Sequence, residues 1–322
     1  MTARSDPATF RTRVTRPADF DDFWARTLAE AETIVGAPRL HPIPDRSTAD
    51  VAVFELEFEG WQGVKIRGWY CRPTRAPSAG LPGLLLPPGY ISEPIVPLDW
   101  AQRGYAALAL ATRGKLRSSA EFNPGFPGLL TDNIVDRETY AYRGMYVDVW
   151  RAVGVLANLP DVDRARIGVA GGSQGGALSL ISAALRPELI ICAVAGAPYL
   201  CCFPESVALS VSWPYREIVD YLREHPENID AVWRTTAYFD VVNFAPWVRA
   251  PVLMHLGLAD DICPPETGYA TFAALSGPKT LEVFPNAAHD AGAYWMAPRI
   301  ERFLADHLRP VVQRPTAAST EV

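Results

Sequence analysis

Residues 166–176 read RIGVAGGSQGG and set one hydroxyl, Ser173, among close-set glycines. The apolar run Ile167–Ala170 is expected to be a short buried strand, and Ala177–Leu185 a helix packed on a sheet. Between them lies Gly171-x-Ser173-x-Gly175. A strand that turns this sharply into a helix forces the serine into a strained backbone region. It also brings neighbouring backbones close, which favours flanking residues without a Cβ. The turn lifts the hydroxyl above the sheet, and the free N–H groups of the helix point back at the same spot, favouring negative charge that develops there.

A strand, turn and helix of this kind form the nucleophile elbow of an α/β-hydrolase fold. Such glycines can instead cradle a phosphate. Here, however, Ser173 occupies the second glycine of G-x-G-x-x-G, and no Gly-Lys-Ser/Thr follows.

The rest of the chain suits that fold. Its 322 residues, 49% hydrophobic and 20% charged, can bury a large core. Thirty Lys and Arg against 36 Asp and Glu give a net charge of −6. With no basic stripe, that balance excludes a nucleic-acid binder and favours a neutral small-molecule substrate. The opening MTARSDP lacks a signal-peptide core, and no stretch is apolar for long enough to cross a bilayer, so a cytoplasmic protein without a membrane partner is expected. The five cysteines lack paired metal-ligand spacing and read as buried apolar filler, so neither a metal nor a cofactor is expected.

Residues 1–40 read as an N-terminal helical cap segment, with an amphipathic helix from Asp19 towards Val35. Residues 41–308 read as the hydrolase domain, a mostly parallel, doubly wound sheet. VAVFELEFEG and VKIRGWYCRP alternate like two antiparallel strands. LPGLLLPPGY and YAALALATRG are continuous apolar runs, as in a parallel sheet buried on both faces. A long helix is expected from Asp136 to Pro160, and IICAVAG, APVLMHLG and TLEVFP continue the strands. Two stretches interrupt this order and are expected to build the pocket: a Gly- and Pro-rich loop at 116–135 and an aromatic, helical insert at 199–247. Residues 309–322 read as a flexible tail.

A serine hydroxyl needs a base to take its proton and a carboxylate to orient that base. In α/β-hydrolases the chain order is Ser, then Asp or Glu, then His. His41 precedes the expected sheet and His225 sits in the polar insert. His255 falls inside a strand, where a core role suits it, and His307 lies on the last helix. His289, in the loop after TLEVFP, remains as the base. Asp260, first after the strand of HLGLADDICPP, is the expected acid; Asp261 reads as a helix cap, and Asp240 is a weaker rival read as a turn residue. The oxyanion donors are expected to be the backbone amides of Gln174, after the nucleophile, and of Tyr90, after LLLPPG.

RIGVAGGSQGG, YRGMYVDVWRAV, APVLMHLGLADDICPP and DFDDFW together resemble the acetyl xylan esterase and cephalosporin C deacetylase family, carbohydrate esterase family 7, from about residue 16 to residue 308. The resemblance implies a triad at Ser173, Asp260 and His289 and an oxyanion amide at Tyr90. It further implies removal of short acyl groups, chiefly acetyl, from sugars and antibiotic-like alcohols, by enzymes that commonly assemble as hexamers. Three positions depart from the family pattern: Arg-Gly-Gln is Arg113-Gly114-Lys115, His-Glu is His289-Asp290, and His-Gly-Tyr is Pro88-Gly89-Tyr90. They leave room for another ester, for acyl transfer or tailoring on a natural product, or for an inactive hydrolase fold used as a binding protein.

Overall fold

The computed structural model describes residues 6–310; the expected tail from 311 onward and the first five residues lie outside them. The elements run in chain order as α1 (Phe20–Glu32), β1 (Arg39–Pro42), β2 (Val51–Glu59), β3 (Lys65–Pro73), β4 (Leu81–Leu86), α2 (Leu98–Gln102), β5 (Ala106–Ala111) and α3 (Ala141–Ala157). There follow β6 (Val162–Gly172), α4 (Gln174–Leu185), β7 (Ile190–Gly196), α5 (Phe203–Leu209), α6 (Arg216–Glu224), α7 (Ile229–Thr236) and α8 (Val241–Phe244). The chain continues through β8 (Val252–Gly257), α9 (Pro265–Ala274), β9 (Lys279–Phe284) and α10 (Ala293–Leu308).

The strands form one sheet in the order β1-β2-β3-β5-β4-β6-β7-β8-β9. β1, β2, β3 and β5 pair antiparallel, and every pair from β5 to β9 is parallel. This is the mostly parallel, doubly wound α/β-hydrolase order expected from the sequence. Patterning explains it. All six residues of β5 and of β8 are buried, as strands covered on both faces require, whereas β2 near the edge alternates buried and half-buried positions. His41, placed ahead of the sheet by the sequence reading, lies in β1 at its edge and faces Glu55 of β2.

Successive residues of the central strands point to opposite faces. Leu85, Val169 and Ala193 join α3 and α4 in the main core, while Leu84, Ala170 and Val194 join Tyr105 and the α10 residues Met296, Leu304 and Leu308. The insert closes over the first face with α1 as its brace: the Trp24 indole donates to the Tyr238 carbonyl at 2.9 Å, and Phe23 and Tyr238 lie ring to ring at 5.0 Å.

Two helices are shorter than expected. α3 starts at Ala141 because the Asp136 carboxylate accepts from the Glu138 amide at 3.0 Å and the Thr139 hydroxyl at 2.9 Å, a local turn that competes with helix. α1 stops at Glu32, where the Thr33 hydroxyl turns back to the Glu30 carbonyl at 2.7 Å. A buried ion pair fixes the loop after β5: Arg113 Nε and Nη2 reach Asp148 Oδ2 and Oδ1 of α3 at 2.6 and 3.0 Å, and Asp148 also accepts from the Trp61 amide at 2.8 Å.

Candidate active site

Ser173 stands between β6 and α4 with φ 56° and ψ −124°, a left-handed conformation that side chains rarely adopt. The surroundings hold it there. Its amide donates to the Gly196 carbonyl at 2.8 Å, and its carbonyl accepts from Ala177 and Tyr199 at 3.0 Å each. A Cβ on Gly175 would fall 2.3 Å from the Pro87 carbonyl oxygen, so glycine lets the elbow touch the loop that carries Tyr90.

That loop is anchored by a hub that the sequence reading missed. The Tyr90 hydroxyl donates to Glu217 Oε1 at 2.7 Å and accepts from the Leu130 amide at 2.9 Å, while Glu217 Oε2 accepts from the Gly128 amide at 2.9 Å. One carboxylate from α6 thus ties the oxyanion loop to the Gly/Pro-rich loop and the insert. Burial pushes the Glu217 carboxyl upward, opposed by these same hydrogen bonds. Nothing local in the sequence marks Glu217, since its partners lie about ninety residues or more away. Gln174, the first residue of α4, is fully buried and its side chain accepts from the Tyr142 hydroxyl at 2.8 Å. The amides of Tyr90 and Gln174 have no backbone acceptor among the described residues.

Asp260 and His289 meet across the carboxyl edge of the sheet. His289 Nδ1 lies 2.9 Å from Asp260 Oδ2, and Asp260 Oδ1 accepts from the amides of Ile262 and Cys263 at 2.9 Å each. The carboxylate is 1% exposed and the imidazole 26%, so the pair is sheltered on one side and open to ligand on the other. The neighbouring acid points elsewhere. Asp261 is exposed and accepts from the Ser212 hydroxyl at 3.2 Å, so it caps no helix, contrary to the sequence expectation. Asp240 caps α8 and accepts from the amides of Cys202, Phe203 and Val242.

All five cysteines are free and buried. Cys263 differs from the others in touching the Ser173 side chain, and burial holds its thiol well above the usual range. Asp260, Cys263 and His289 offer donor atoms within 4.8 Å of one another. A protonated thiol and a carboxylate oxygen already committed to His289 do not suit a metal ion.

Ser173, His289 and Tyr90 line one cavity of about 730 Å³, bounded by the Gly/Pro-rich loop at Phe126 and by the insert at Trp213. A hollow of about 670 Å³ between α1 and α7 carries Asp19, Arg137 and Tyr238, which satisfy one another, and no nucleophile. Of the three departures, Lys115 is buried with its ammonium 5.3 Å from the Tyr90 ring centre; burial pushes its pKa down to about 8, with Glu93 opposing. Asp290 accepts from the Ala288 amide at 3.1 Å and so shapes the turn that carries His289.

Known proteins share this fold. The chain is 32% identical to the acetyl xylan esterase of Paenibacillus sp. R4, with a TM-score of 0.87 over 94% of this chain and 98% of that one. It is 27% identical to acetyl xylan esterase 1 of Thermoanaerobacterium sp. JW/SL YS485, with a TM-score of 0.83 over 92% and 97% of the two chains. An acetyl esterase of Xylanibacter ruminicola is 30% identical over 85% of this chain, which spans 63% of that relative's length. The family model for acetyl xylan esterase matches residues 5–307, and by that near-complete match the chain belongs to the acetyl xylan esterase family.

Proposed function

We propose that the protein is a serine esterase that removes short acyl groups, chiefly acetyl, from hydroxyl oxygens of sugars or natural-product alcohols. The observation that carries this reading is the strained Ser173 elbow sharing one cavity with His289, whose imidazole Asp260 holds from behind. Ser173 Oγ attacks the ester carbonyl carbon while His289 Nε2 takes its proton. The tetrahedral oxyanion lies against the amides of Tyr90 and Gln174, at the positive end of α4. The carbon–oxygen bond to the alcohol breaks as His289 returns the proton to the leaving oxygen, and an acyl-serine remains. Water, deprotonated by His289, then cleaves the acyl-serine to give the carboxylic acid and free serine. Asp260 Oδ2 keeps the proton of His289 on Nδ1, so that Nε2 is the basic nitrogen, and steadies the imidazolium that forms.

The test is Ser173→Ala assayed on nitrophenyl acetate. The backbone hydrogen bonds of the elbow do not involve the hydroxyl, so melting stays near that of the wild type. Turnover falls by roughly six orders of magnitude, to what the oxyanion amides and binding provide. Hydrolysis retained by the variant would overturn the assignment.

A further inference from the structure

The cavity holding Ser173 has two ends. One lies under the insert. The other runs between α2 and α10 onto the opposite face of the sheet, over Ala170 of β6 and Val194 of β7. Its far end closes at an ion pair between Arg103, which ends α2, and Glu301 of α10, at 2.8 Å. On α10, Ala293 and Ala297 stand one turn apart and leave the wall open where larger residues would fill it.

One buried polar side chain faces this lobe. His255 of β8 is 7% exposed, and its Nδ1 lies 2.8 Å from the Ala291 carbonyl, which can only accept. Nδ1 therefore carries the proton. A Cβ on Gly196, itself a lining residue, would fall 2.4 Å from Nε2, so that nitrogen stands at the cavity wall, with no partner among the described residues. Burial lowers the pKa of His255, which keeps the ring neutral and Nε2 a hydrogen-bond acceptor. The sequence reading gave His255 to the core; the structure satisfies only one of its nitrogens there.

Chemistry decides which half of an ester belongs here. The group that protonates the leaving oxygen must touch it, so the alcohol lies on the His289 side of Ser173. Two residues after His289 comes Ala291, which holds His255, and then α10, whose first turns wall the lobe.

We propose that the lobe between α2 and α10 receives the alcohol half of the ester, and that this alcohol is an apolar, ring-sized molecule with one hydrogen-bond donor for His255 Nε2. The proposal rests on the esterase reading above. Along the wall of Trp100, Val194 and Ile300 a sugar's hydroxyls would find no partners, and Glu301 at the far end is already held by Arg103, whereas a fused ring with one N–H packs on that wall and reaches His255.

The experiment compares the acetates of indole-ethanol and naphthalene-ethanol, two bicyclic primary alcohols of similar leaving ability of which only the first donates a ring N–H, with xylose tetraacetate. In the wild type, kcat/KM is expected to rank indole over naphthalene by about tenfold, the worth of one hydrogen bond, and both over the sugar. His255→Phe keeps a ring and removes the lone pair, so the indole-to-naphthalene ratio should fall to about one. Ala297→Trp fills the lobe, so the ratio of either ring ester to ethyl acetate should fall at least tenfold. A sugar acetate ahead of both ring esters, or an indole preference that survives His255→Phe, would overturn the proposal. Calorimetric binding of the free alcohols to the wild type needs neither turnover nor a variant, and equal binding of the two ring alcohols would overturn it as well. Absence of all ester hydrolysis would strike the esterase reading instead, and the binding measurement tells the two failures apart.

Discussion

The two oxygens of Asp260 serve different partners: Oδ2 faces His289 Nδ1 at 2.9 Å, while Oδ1 is held by the amides of Ile262 and Cys263. The carboxylate is therefore fixed by backbone before it meets the imidazole. Asp260→Asn leaves the shape but places an amide where only an acceptor fits, which favours the wrong tautomer of His289. Turnover is expected to fall by about four orders of magnitude. Asp261→Asn, whose partner is a serine hydroxyl on the insert, should change turnover only a few-fold. Steady-state kinetics on nitrophenyl acetate check both, and equal losses would reverse the assignment.

Strain at Ser173 gives a second expectation. At φ 56° a side chain costs roughly 1–3 kcal/mol, and glycine removes that cost at an entropic penalty of roughly 0.5–1 kcal/mol. Ser173→Gly should therefore melt at or a few degrees above the wild type while losing all turnover. Calorimetry decides, and a lower melting temperature would show that the elbow is unstrained.

Lys115 makes stability depend on alkaline pH. Its folded pKa of about 8 lies below the usual 10.5, so the unfolded chain binds more protons between those values, and stability rises with pH through that window. Below about pH 8 lysine is charged in both states and the burial penalty is complete. Lys115→Gln does not titrate. Its advantage over the wild type should be greatest near pH 7 and shrink by up to roughly 3 kcal/mol by pH 10.5. Urea unfolding across pH 7–10.5 measures the difference, and a constant gap would refute it.

The buried Arg113–Asp148 pair predicts non-additivity. Asp148→Ala strands a guanidinium that is almost entirely buried, and should cost about 3–5 kcal/mol. Adding Arg113→Met should restore part of the loss, because the uncompensated charge goes with it. A double-mutant cycle by denaturant unfolding reads the coupling; simple additivity would mean that the two groups do not depend on each other.

The chain was most legible where local chemistry and global position demand the same residue. Ser173 needs close backbones on both sides, and glycines announce that need in five letters. His289 and Asp260 follow from chain order and from the strands that precede them. Element ends were harder to read, because Asp136 and Thr33 draw hydrogen bonds away from a helix that hydrophobic spacing alone would continue. Glu217 and His255 were not legible as site residues. Each takes its place from partners far along the chain, Tyr90 for one and Ala291 for the other, and neither partnership leaves a periodic trace.

The brace between α1 and the insert bears on how the molecule is made. Trp24 finds its acceptor in Tyr238, 214 residues further along. At roughly 5–20 residues per second, a ribosome needs on the order of ten to forty seconds to deliver that partner. During that interval Trp24 can already meet Tyr146 of α3, but Phe20 and Phe23, buried in the finished fold, lack the insert rings of Tyr238, Phe239 and Phe244 that cover them. The docking of α1 is thus complete only once the insert has emerged. Until the insert emerges, those apolar rings are free to contact other chains.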